Sequence, residues 1–267
     1  MKSDSFVVRT ACCVVRSTQY VRRNTLFEMR NTKYQRVLLK LSGESFCKPG
    51  QFGIDGSALE SIAERIAEIC KLGPQVAIVV GAGNILRGES FSQTSHIPRN
   101  TADYMGMLAT IINGCALQET LEKLGQSTRV LSAIEVPAMC EPFIRRRALS
   151  HLDRGRVAIL AGGTGNPFFT TDTCAALRAA ELEVDLLIKA TKVEGVYSAD
   201  PKTVSDAQLF EELSYDEVLT KKLRIMDHAA VSLCSNNNIP IVVLNIFEKG
   251  NITKAICGQR VGTLIHS

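Results

Sequence analysis

Glycine and small polar residues cluster at three places in the sequence, and cationic side chains lie near each of them. The clusters are Ser42-Gly43, Gly81 to Asn84 and Gly163 to Asn166. Glycine lets the main chain approach anionic oxygens closely, and exposed main-chain N–H groups supply partial positive charge. The nearby cations are Lys40, Arg87, Arg99, Lys189 and Lys192. These features predict a site for a highly charged phosphate ligand.

Two well-known classes of phosphate-binding enzyme are excluded because their motifs are absent from the sequence, and a third class is disfavoured. The sequence has neither the P-loop pattern G-x-x-x-x-G-K-[ST] nor the motif set of protein kinases. Gly81-Ala-Gly83 begins like a dinucleotide-binding fingerprint, but Leu86 stands where the third glycine belongs. No acidic residue ends a second strand about 20 residues later, as ribose binding requires. A hydride-transfer enzyme is therefore disfavoured.

Lys40 and Asp172 are of the types that phosphoryl transfer between two phosphates needs. The acceptor phosphate is already an anion, so the reaction requires no strong general base. The protein must instead offset the repulsion between two polyanions and stabilise the transition state, a task for cations, Mg²⁺ and the carboxylates that orient the metal. Lys40 is predicted at a strand end and Asp172 at a helix start. Asp172 alone is explained equally well as a favourable charge near a helix N-terminus.

Strand-like and helix-like segments alternate from Tyr34 onward. The predicted strands are Arg36 to Leu41, Val76 to Val80, Arg129 to Ala133, Arg156 to Leu160, Val184 to Lys189, Ile239 to Asn245 and an edge strand at Gly262 to Ile265. The predicted helices follow a capping box of Ser57 and Glu60, span about Asp103 to Leu124 and Phe143 to Leu152, and begin near Thr171.

This alternation predicts an α/β fold, a mostly parallel open sheet with helices on both faces in a three-layer sandwich. Ligands of such sheets bind at the carboxyl ends of the strands. Each glycine-rich cluster directly follows a predicted strand, so we expect the clusters to meet along one edge of the sheet.

Residues 1–33 differ in composition from the rest of the chain. They carry a net charge of +5, whereas residues 34–267 sum to −1. We interpret residues 1–33 as a basic, disordered extension and residues 34–267 as one domain; a transit peptide, or translation from Met29, are the alternatives for the first segment. The nearly neutral body disfavours nucleic-acid binding. No apolar run reaches the ~20 residues of a membrane-spanning helix.

The nine cysteines and four histidines show no metal-ligand spacing. An odd number of unpatterned thiols is typical of a reducing compartment. We therefore predict a cytoplasmic protein with no metal held by protein ligands alone, in which most cysteines act as small buried hydrophobes.

Five segments, in this order, carry a family resemblance: Leu39 to Glu44, Gly81 to Gly88, Asp103 to Met107, Gly163 to Asp172 and Lys189 to Val196. Together they resemble the bacterial-type UMP kinases (uridylate kinases) of the amino acid kinase superfamily, from about Tyr34 to the C-terminus. The run Thr164 to Asp172 separates these enzymes from the acetylglutamate, glutamate, aspartate and carbamate kinases. The resemblance implies reversible transfer of the ATP γ-phosphoryl group to UMP, giving UDP and ADP, in pyrimidine nucleotide (CTP) biosynthesis.

The resemblance also implies roles for individual residues. ATP is expected to contact Lys40, Leu41, Ser42, Gly43, Gly83, Arg87, Thr191, Tyr197 and Asp200. UMP is expected to contact Ala82, Arg99, Asp103, Thr164, Gly165, Asn166, Pro167, Phe168, Phe169, Thr170 and Thr171. Arg99 would meet the UMP phosphate and Asp103 the ribose hydroxyls. Lys40 would bridge the two nucleotides, with Asp172 organising the transfer and Lys189 assisting.

Further properties follow from the resemblance alone. These kinases use Mg²⁺ with ATP, form homohexamers, are activated by GTP and are inhibited by UTP. The segment of Lys48, Pro49, Gly50, Gln51, Phe52 and Gly53 matches their GTP-linked segment, although Lys48-Pro49 replaces the more usual Gly-Thr-like pair. Ala82 stands where the family usually has glycine, which requires that φ at this position is not positive.

Two other functions remain open for the same fold. A sister kinase would phosphorylate a carboxylate such as acetylglutamate, which Asp103 and the run Thr164 to Thr171 argue against. A non-enzymatic storage protein would bind anion clusters without turnover, which the joint presence of Lys40, Arg87 and Asp172 argues against.

Overall fold

The structure, a computed structural model, describes residues 32–86, 91–93, 96–199, 201, 203–204, 206–223 and 225–267. These residues contain eleven strands, seven α-helices with described bounds and three further helical residues, 91–93. The strands are β1 Arg36–Leu41, β2 Gln75–Val80, β3 Thr128–Ser132, β4 Glu141–Pro142, β5 Val157–Ala161, β6 Leu186–Thr191, β7 Val196–Tyr197, β8 Leu209–Phe210, β9 Glu212–Ser214, β10 Ile241–Asn245 and β11 Thr263–His266. The helices are α1 Gly56–Cys70, α2 Arg99–Lys123, α3 Arg145–Asp153, α4 Thr171–Glu181, α5 Tyr215–Thr220, α6 His228–Asn236 and α7 Asn251–Ile256. A 3₁₀ turn spans Gly43–Phe46.

Nine strands form one sheet in the order β4-β3-β5-β2-β1-β6-β10-β11-β9, while β7 and β8 form a separate hairpin. Every neighbouring pair in the large sheet is parallel except β10 and β11. The predicted mostly parallel α/β sheet is confirmed. The edge position predicted for Gly262 to Ile265 is wrong, because β11 pairs with β10 on one side and β9 on the other.

Alternate side chains of the strands feed two hydrophobic cores, one on each face of the sheet. In β1, Val37, Leu39 and Leu41 enter one core, whereas Leu38 enters the other. Helices α1, α2 and α7 cover the first face and helices α3, α4, α5 and α6 cover the second. The central strands β1, β2, β5, β6 and β10 are buried on both faces, which explains their continuous apolar sequences.

The start of α1 differs from the prediction. Asp55, and not Ser57, caps the helix, since its carboxylate accepts the N–H of Ala58 at 2.9 Å and the hydroxyl of Ser57 at 2.5 Å. The proposed capping box of Ser57 and Glu60 is therefore wrong. A charged carboxylate two residues earlier satisfies the unpaired N–H groups of the first turn better than a hydroxyl does.

Two other helix starts also differ from the sequence analysis. Helix α2 begins at Arg99, directly after Pro98, whose carbonyl accepts the N–H of Ala102, so Asp103 lies in the second turn and does not open the helix. Helix α3 begins at Arg145 and not at Phe143, because Glu141–Pro142 forms strand β4 beside β3. No helix in the described ranges has the length and hydropathy of a membrane span.

Candidate active site

Three charged side chains meet at the carboxyl ends of the two central strands. Lys40 of β1 and Lys189 of β6 are direct neighbours in the parallel register, and both lie on the face that α4 covers. Asp172, in the first turn of α4, lies between them: Lys40 Nζ is 2.7 Å from Oδ1 and Lys189 Nζ is 2.8 Å from Oδ2. Lys189 Nζ also donates to the carbonyl of Ile225. Strand pairing and helix packing thus place two ammonium groups on one carboxylate.

Burial and charge act in opposite directions in this triad. Burial by itself raises the pKa of Asp172, but the ammonium groups of Lys40 and Lys189 outweigh burial and hold that pKa below its usual value. Burial lowers the pKa of Lys189, with a further contribution from Lys40, against the opposing effect of Asp172. An ionised Asp172 is therefore the stable form at neutral pH, and two cations around one anion leave net positive charge for a phosphate.

Thr170 and Asp227 hold the start of α4 in place. The Thr170 hydroxyl caps the helix by accepting the N–H groups of Asp172 at 3.0 Å and Thr173 at 3.2 Å. The carboxylate of Asp227 accepts the hydroxyls of Thr170 and Thr173, the latter at 2.7 Å. Asp227 also caps α6 by accepting the N–H of Ala230. The orientation of Asp172 thus depends on a carboxylate from a different helix.

A cleft of about 520 Å³, here named the Arg99 cleft, opens beside Lys40 and Asp172. Its lining includes these predicted residues: Lys40, Ser42, Gly43, Ala82, Gly83, Arg99, Asp103, Asn166, Phe169, Thr170, Thr171 and Asp172. The structure therefore brings the loops after β1, β2 and β5 together, as expected from the parallel sheet. Of the other predicted UMP contacts, Thr164, Gly165, Pro167 and Phe168 do not line the cleft.

The loops after β1 and β2 touch at Gly43. A Cβ atom added there would lie 2.3 Å from the N of Gly83 and 2.7 Å from the carbonyl carbon of Ala82. Leu41 is fully buried and contributes its carbonyl, which accepts the N–H of Gly81 at 2.8 Å. Residue 43 must therefore be glycine, because the two loops approach each other too closely to leave room for a side chain.

Gly43→Ala is expected to lower kcat for phosphoryl transfer by about 10²-fold, because the methyl group must push the Gly83 loop away from its position. Overpacking should also lower the free energy of unfolding by about 1–3 kcal/mol. Steady-state kinetics and urea unfolding measure both effects. Gly56→Ala is the matched control, since a Cβ there meets nothing within 4 Å. Parental kcat in Gly43→Ala would contradict the close approach.

Arg99 and Asp103 pair with each other at the mouth of the Arg99 cleft. Arg99 Nε donates to both carboxylate oxygens of Asp103, at 2.8 and 3.0 Å. The same carboxylate accepts the N–H of Phe168 at 2.9 Å. Phe168 has φ of 71°, a left-handed conformation that is strained for an aromatic residue. Asp103 therefore holds the loop after β5 in an otherwise unfavourable shape.

A second cleft, of about 680 Å³ and here named the Tyr197 cleft, lies on the other side of the triad. Lys189, Thr191 and Tyr197 line it, together with apolar side chains that include Val196 and Val243. Arg87 and Asp200, the other residues predicted near ATP, lie outside the described residues. Lys189 faces the Tyr197 cleft while Asp172 and Lys40 face the Arg99 cleft, so the triad stands where the two clefts meet.

The segment Lys48 to Gly53 lines a third cleft, of about 630 Å³ and here named the Phe52 cleft, through Lys48, Gly50, Gln51 and Phe52. The side chain of Phe52 is 87% exposed. Pro49 and Gly53 do not line the cleft. Gly53 instead bonds to Asn84: its N–H donates to the Asn84 carbonyl at 2.7 Å. The segment is thereby joined to the loop after β2.

The backbone conformation of Ala82 is one that alanine can adopt, as the sequence analysis required. It is buried and is not among the described residues with positive φ, so its methyl group causes no backbone strain. Ala82→Gly should therefore change kcat/KM by less than threefold, as measured with both nucleotides varied. A tenfold gain, equivalent to about 1.4 kcal/mol of transition-state binding, would show that the methyl group obstructs the site.

Two polar residues with structural importance at the site were not singled out from the sequence. Asn113 and Thr110 are both buried and hydrogen-bond to the loops after β2 and β5. The available signal was the placement of two polar residues on the otherwise apolar face of α2. Within the described ranges, no group of three or more His, Cys, Asp or Glu side chains is arranged to hold a metal ion.

Comparison with known proteins identifies the family to which this chain belongs. The model of the amino acid kinase family matches residues 35–245, most of the chain. The chain belongs to the amino acid kinase family. This family assignment applies to the segments that build the triad and both clefts, because β1 to β10 lie inside the matched range.

Several solved structures are also similar to this chain. A UMP kinase from Bacillus anthracis is 39% identical, with 87% of this chain and 96% of that chain covered and a TM-score of 0.84. A UMP kinase from Ureaplasma parvum is 37% identical over 88% and 100% of the two chains, with a TM-score of 0.82. A uridylate kinase from Archaeoglobus fulgidus is 27% identical over 86% and 99%, with a TM-score of 0.66.

Proposed function

We propose that the chain is a UMP kinase, which transfers the γ-phosphoryl group of ATP to the phosphate of UMP and forms UDP and ADP. One observation carries this conclusion: two clefts at the carboxyl edge of the sheet meet at the Lys40–Asp172–Lys189 triad. Two bound nucleotides would thus present their phosphates to the same cations. The similarity to UMP kinases along nearly the whole chain supports UMP as acceptor.

UMP occupies the Arg99 cleft and ATP the Tyr197 cleft in this proposal. When UMP arrives, Arg99 exchanges its bond with Asp103 for the UMP phosphate, and Asp103 accepts the ribose hydroxyls. Phe169 packs against the base. In the Tyr197 cleft, Thr191 and Tyr197 contact the adenosine. The ATP phosphates extend past the triad to the main chain of Ser42, Gly43 and Gly83, which lines the Arg99 cleft.

Lys40 stabilises the negative charge that is shared between donor and acceptor oxygens as the γ-phosphoryl group moves. Its ammonium group is held in place by Asp172 before substrate binds, so little reorganisation is needed during the reaction. Lys189 balances Asp172 from the other side. The acceptor phosphate needs no general base because it is already ionised.

Mg²⁺ fits the donor set of this site. Magnesium binds to one or two carboxylates together with substrate phosphates and keeps several waters. Asp172 is the carboxylate that lines the Arg99 cleft and contacts Lys189 of the Tyr197 cleft, and the ATP phosphates would supply the remaining negative charge. Bound Mg²⁺ would neutralise charge on the β- and γ-phosphates.

Several finer properties belong to the same proposal. Self-association into a homohexamer is supported by the exposed apolar side chains of Tyr104, Leu108 and Ile112, which follow one another at helical spacing on α2. The Phe52 cleft is proposed as part of the response to GTP, with UTP as inhibitor. We further propose residues 34–267 as the kinase domain, residues 1–33 as a basic extension, a cytoplasmic location and a role in pyrimidine nucleotide synthesis.

An ADP-release assay tests the proposed function directly. ATP and Mg²⁺ are supplied with UMP, CMP, dUMP or acetylglutamate in parallel, with and without GTP and UTP. Turnover should depend on UMP. Turnover with acetylglutamate alone would identify a sister kinase, and nucleotide binding without turnover on any acceptor would identify a storage protein.

A further inference from the structure

Two buried asparagines form a reciprocal amide pair behind the phosphate-binding loops. Asn84 Nδ2 donates to Asn113 Oδ1 at 3.0 Å, and Asn113 Nδ2 donates to Asn84 Oδ1 at 2.8 Å. The exposed fractions of Asn84 and Asn113 are only 1% and 0%. Burying two primary amides is costly unless each N–H finds an acceptor, so the remaining hydrogen bonds of the pair are informative.

The remaining N–H groups of the pair reach two separate backbone segments. Asn113 Nδ2 donates to the carbonyl of Gly81 at 2.8 Å, and Asn84 Nδ2 donates to the carbonyl of Gly53 at 2.8 Å. Both amides therefore use both of their donors. The Asn84 side chain also packs against Gly43, since a Cβ added there would lie 2.7 Å from Asn84 Oδ1. Neither a hydroxyl nor a carboxylate supplies two donors and an acceptor in this geometry.

Helix α2 carries Asn113 and connects this pair to the acceptor side of the site. One turn earlier on the same helix, the Thr110 hydroxyl accepts the N–H of Gly162, in the loop after β5, at 2.8 Å. The first two turns of α2 hold Arg99 and Asp103. A single helix thus fixes the loop after β2, the loop after β5 and two side chains of the Arg99 cleft.

We propose that Asn84 and Asn113 act as one positioning unit that fixes the Gly81–Asn84 loop relative to α2, and thereby sets the separation of donor and acceptor phosphates. This inference rests on the proposed UMP kinase function. The pair touches neither cleft directly, so it acts through Gly81, Gly43 and Gly53. Small displacements of reacting groups have large effects on transfer rates, which is why a buried amide pair matters to turnover.

The test compares Asn84→Ala, Asn113→Ala and the double variant with the control Asn251→Ala. Asn251 is also a buried asparagine whose Nδ2 bonds a backbone carbonyl, that of Asn245 at 3.1 Å, but it lies on α7. We measure kcat, KM for ATP and UMP, and Tm. Each single variant should lose about 10- to 100-fold in kcat, with KM changed less. Tm should fall by more than in the control, because the remaining amide loses its partner, so kcat is measured well below the Tm of each variant.

The double variant decides whether the two residues act together. Its kcat should be within threefold of the worse single variant, because a reciprocal pair is already lost when one member is removed. If an alanine variant does not fold, Asn84→Ser and Asn113→Ser replace it, and intermediate losses are expected since a hydroxyl restores one donor.

Two results would overturn the proposal: single variants whose kcat lies within threefold of Asn251→Ala, or a double variant whose loss equals the product of the single losses. Failure of the proposed function is distinguishable, because the parental chain would then show no turnover with UMP.

Discussion

Lys40→Ala is expected to lower kcat for UMP phosphorylation by about 10³-fold. The ammonium group lies where the two clefts meet, held 2.7 Å from Asp172, and removing one preorganised cation from a phosphoryl-transfer site costs factors of this size. KM for either nucleotide should change much less, because main-chain groups and other side chains also bind the phosphates. Initial rates of ADP release across both substrate concentrations measure the effect.

The control for Lys40→Ala is Lys254→Ala, which removes an exposed lysine from α7. It should leave kcat unchanged, so a general loss of positive charge is excluded as the cause. Near-parental turnover in Lys40→Ala would refute the role of Lys40 in the transition state.

Asp172→Asn should lower both activity and stability. Two ammonium groups would then remain around a neutral amide, in a triad whose side chains are only 11–16% exposed. Removing one partner of a buried ion pair costs about 3–5 kcal/mol, and we expect the lower end here because some water reaches the triad. The kcat should fall by about 10³-fold as the lysines lose their fixed positions. Urea unfolding and the ADP-release assay report the two effects.

Glu68→Gln, on the exposed face of α1, is the matched neutralisation of a carboxylate far from the triad. It should leave the free energy of unfolding within about 0.5 kcal/mol of the parental value. A stable Asp172→Asn variant with more than a tenth of the parental kcat would show that the carboxylate is not the organising group.

The stabilising effect of Asp172 should depend on pH. Because its pKa in the folded state is below the ordinary value of 3.8, its contribution is fully present above that value and is lost as pH falls through the lowered pKa. The difference in unfolding free energy between the parental chain and Asp172→Asn should therefore shrink below about pH 4. Urea titrations at several pH values measure it. A difference that stays constant with pH would argue against an ionised Asp172.

The fold was largely predictable because a parallel sheet buried on both faces produces long apolar strands separated by helical patterns. The position of β11 inside the sheet was not predictable, since a short strand has the same sequence pattern whether it lies at an edge or inside a sheet. Helix starts such as Arg99 were also missed. In that case Pro98 begins the helix through its restricted φ and its carbonyl, without any of the capping residues that sequence reading depends on.

The individual residues of the candidate site could be predicted from the sequence, but the contacts that join distant segments around it could not. Lys40, Asp172 and Lys189 were chosen by residue type, position and family resemblance, and the structure brings them together. The contact of Asp227 with Thr170 joins segments more than 50 residues apart, which no local pattern reveals. The same limitation applies to Asn84 and Asn113, and to the strained Phe168, whose backbone is held by Asp103.

The neighbouring positions of β1 and β6 have a consequence for how activity arises during folding. Lys40 and Lys189 are side by side in space but about 150 residues apart in the chain, and parallel strands can pair only after everything between them has been made. A partly synthesised chain that ends before β6 can contain the whole Gly81 loop yet has no triad. Fragments that end before β6 should accordingly be unable to transfer phosphate, because Lys189 is missing from them.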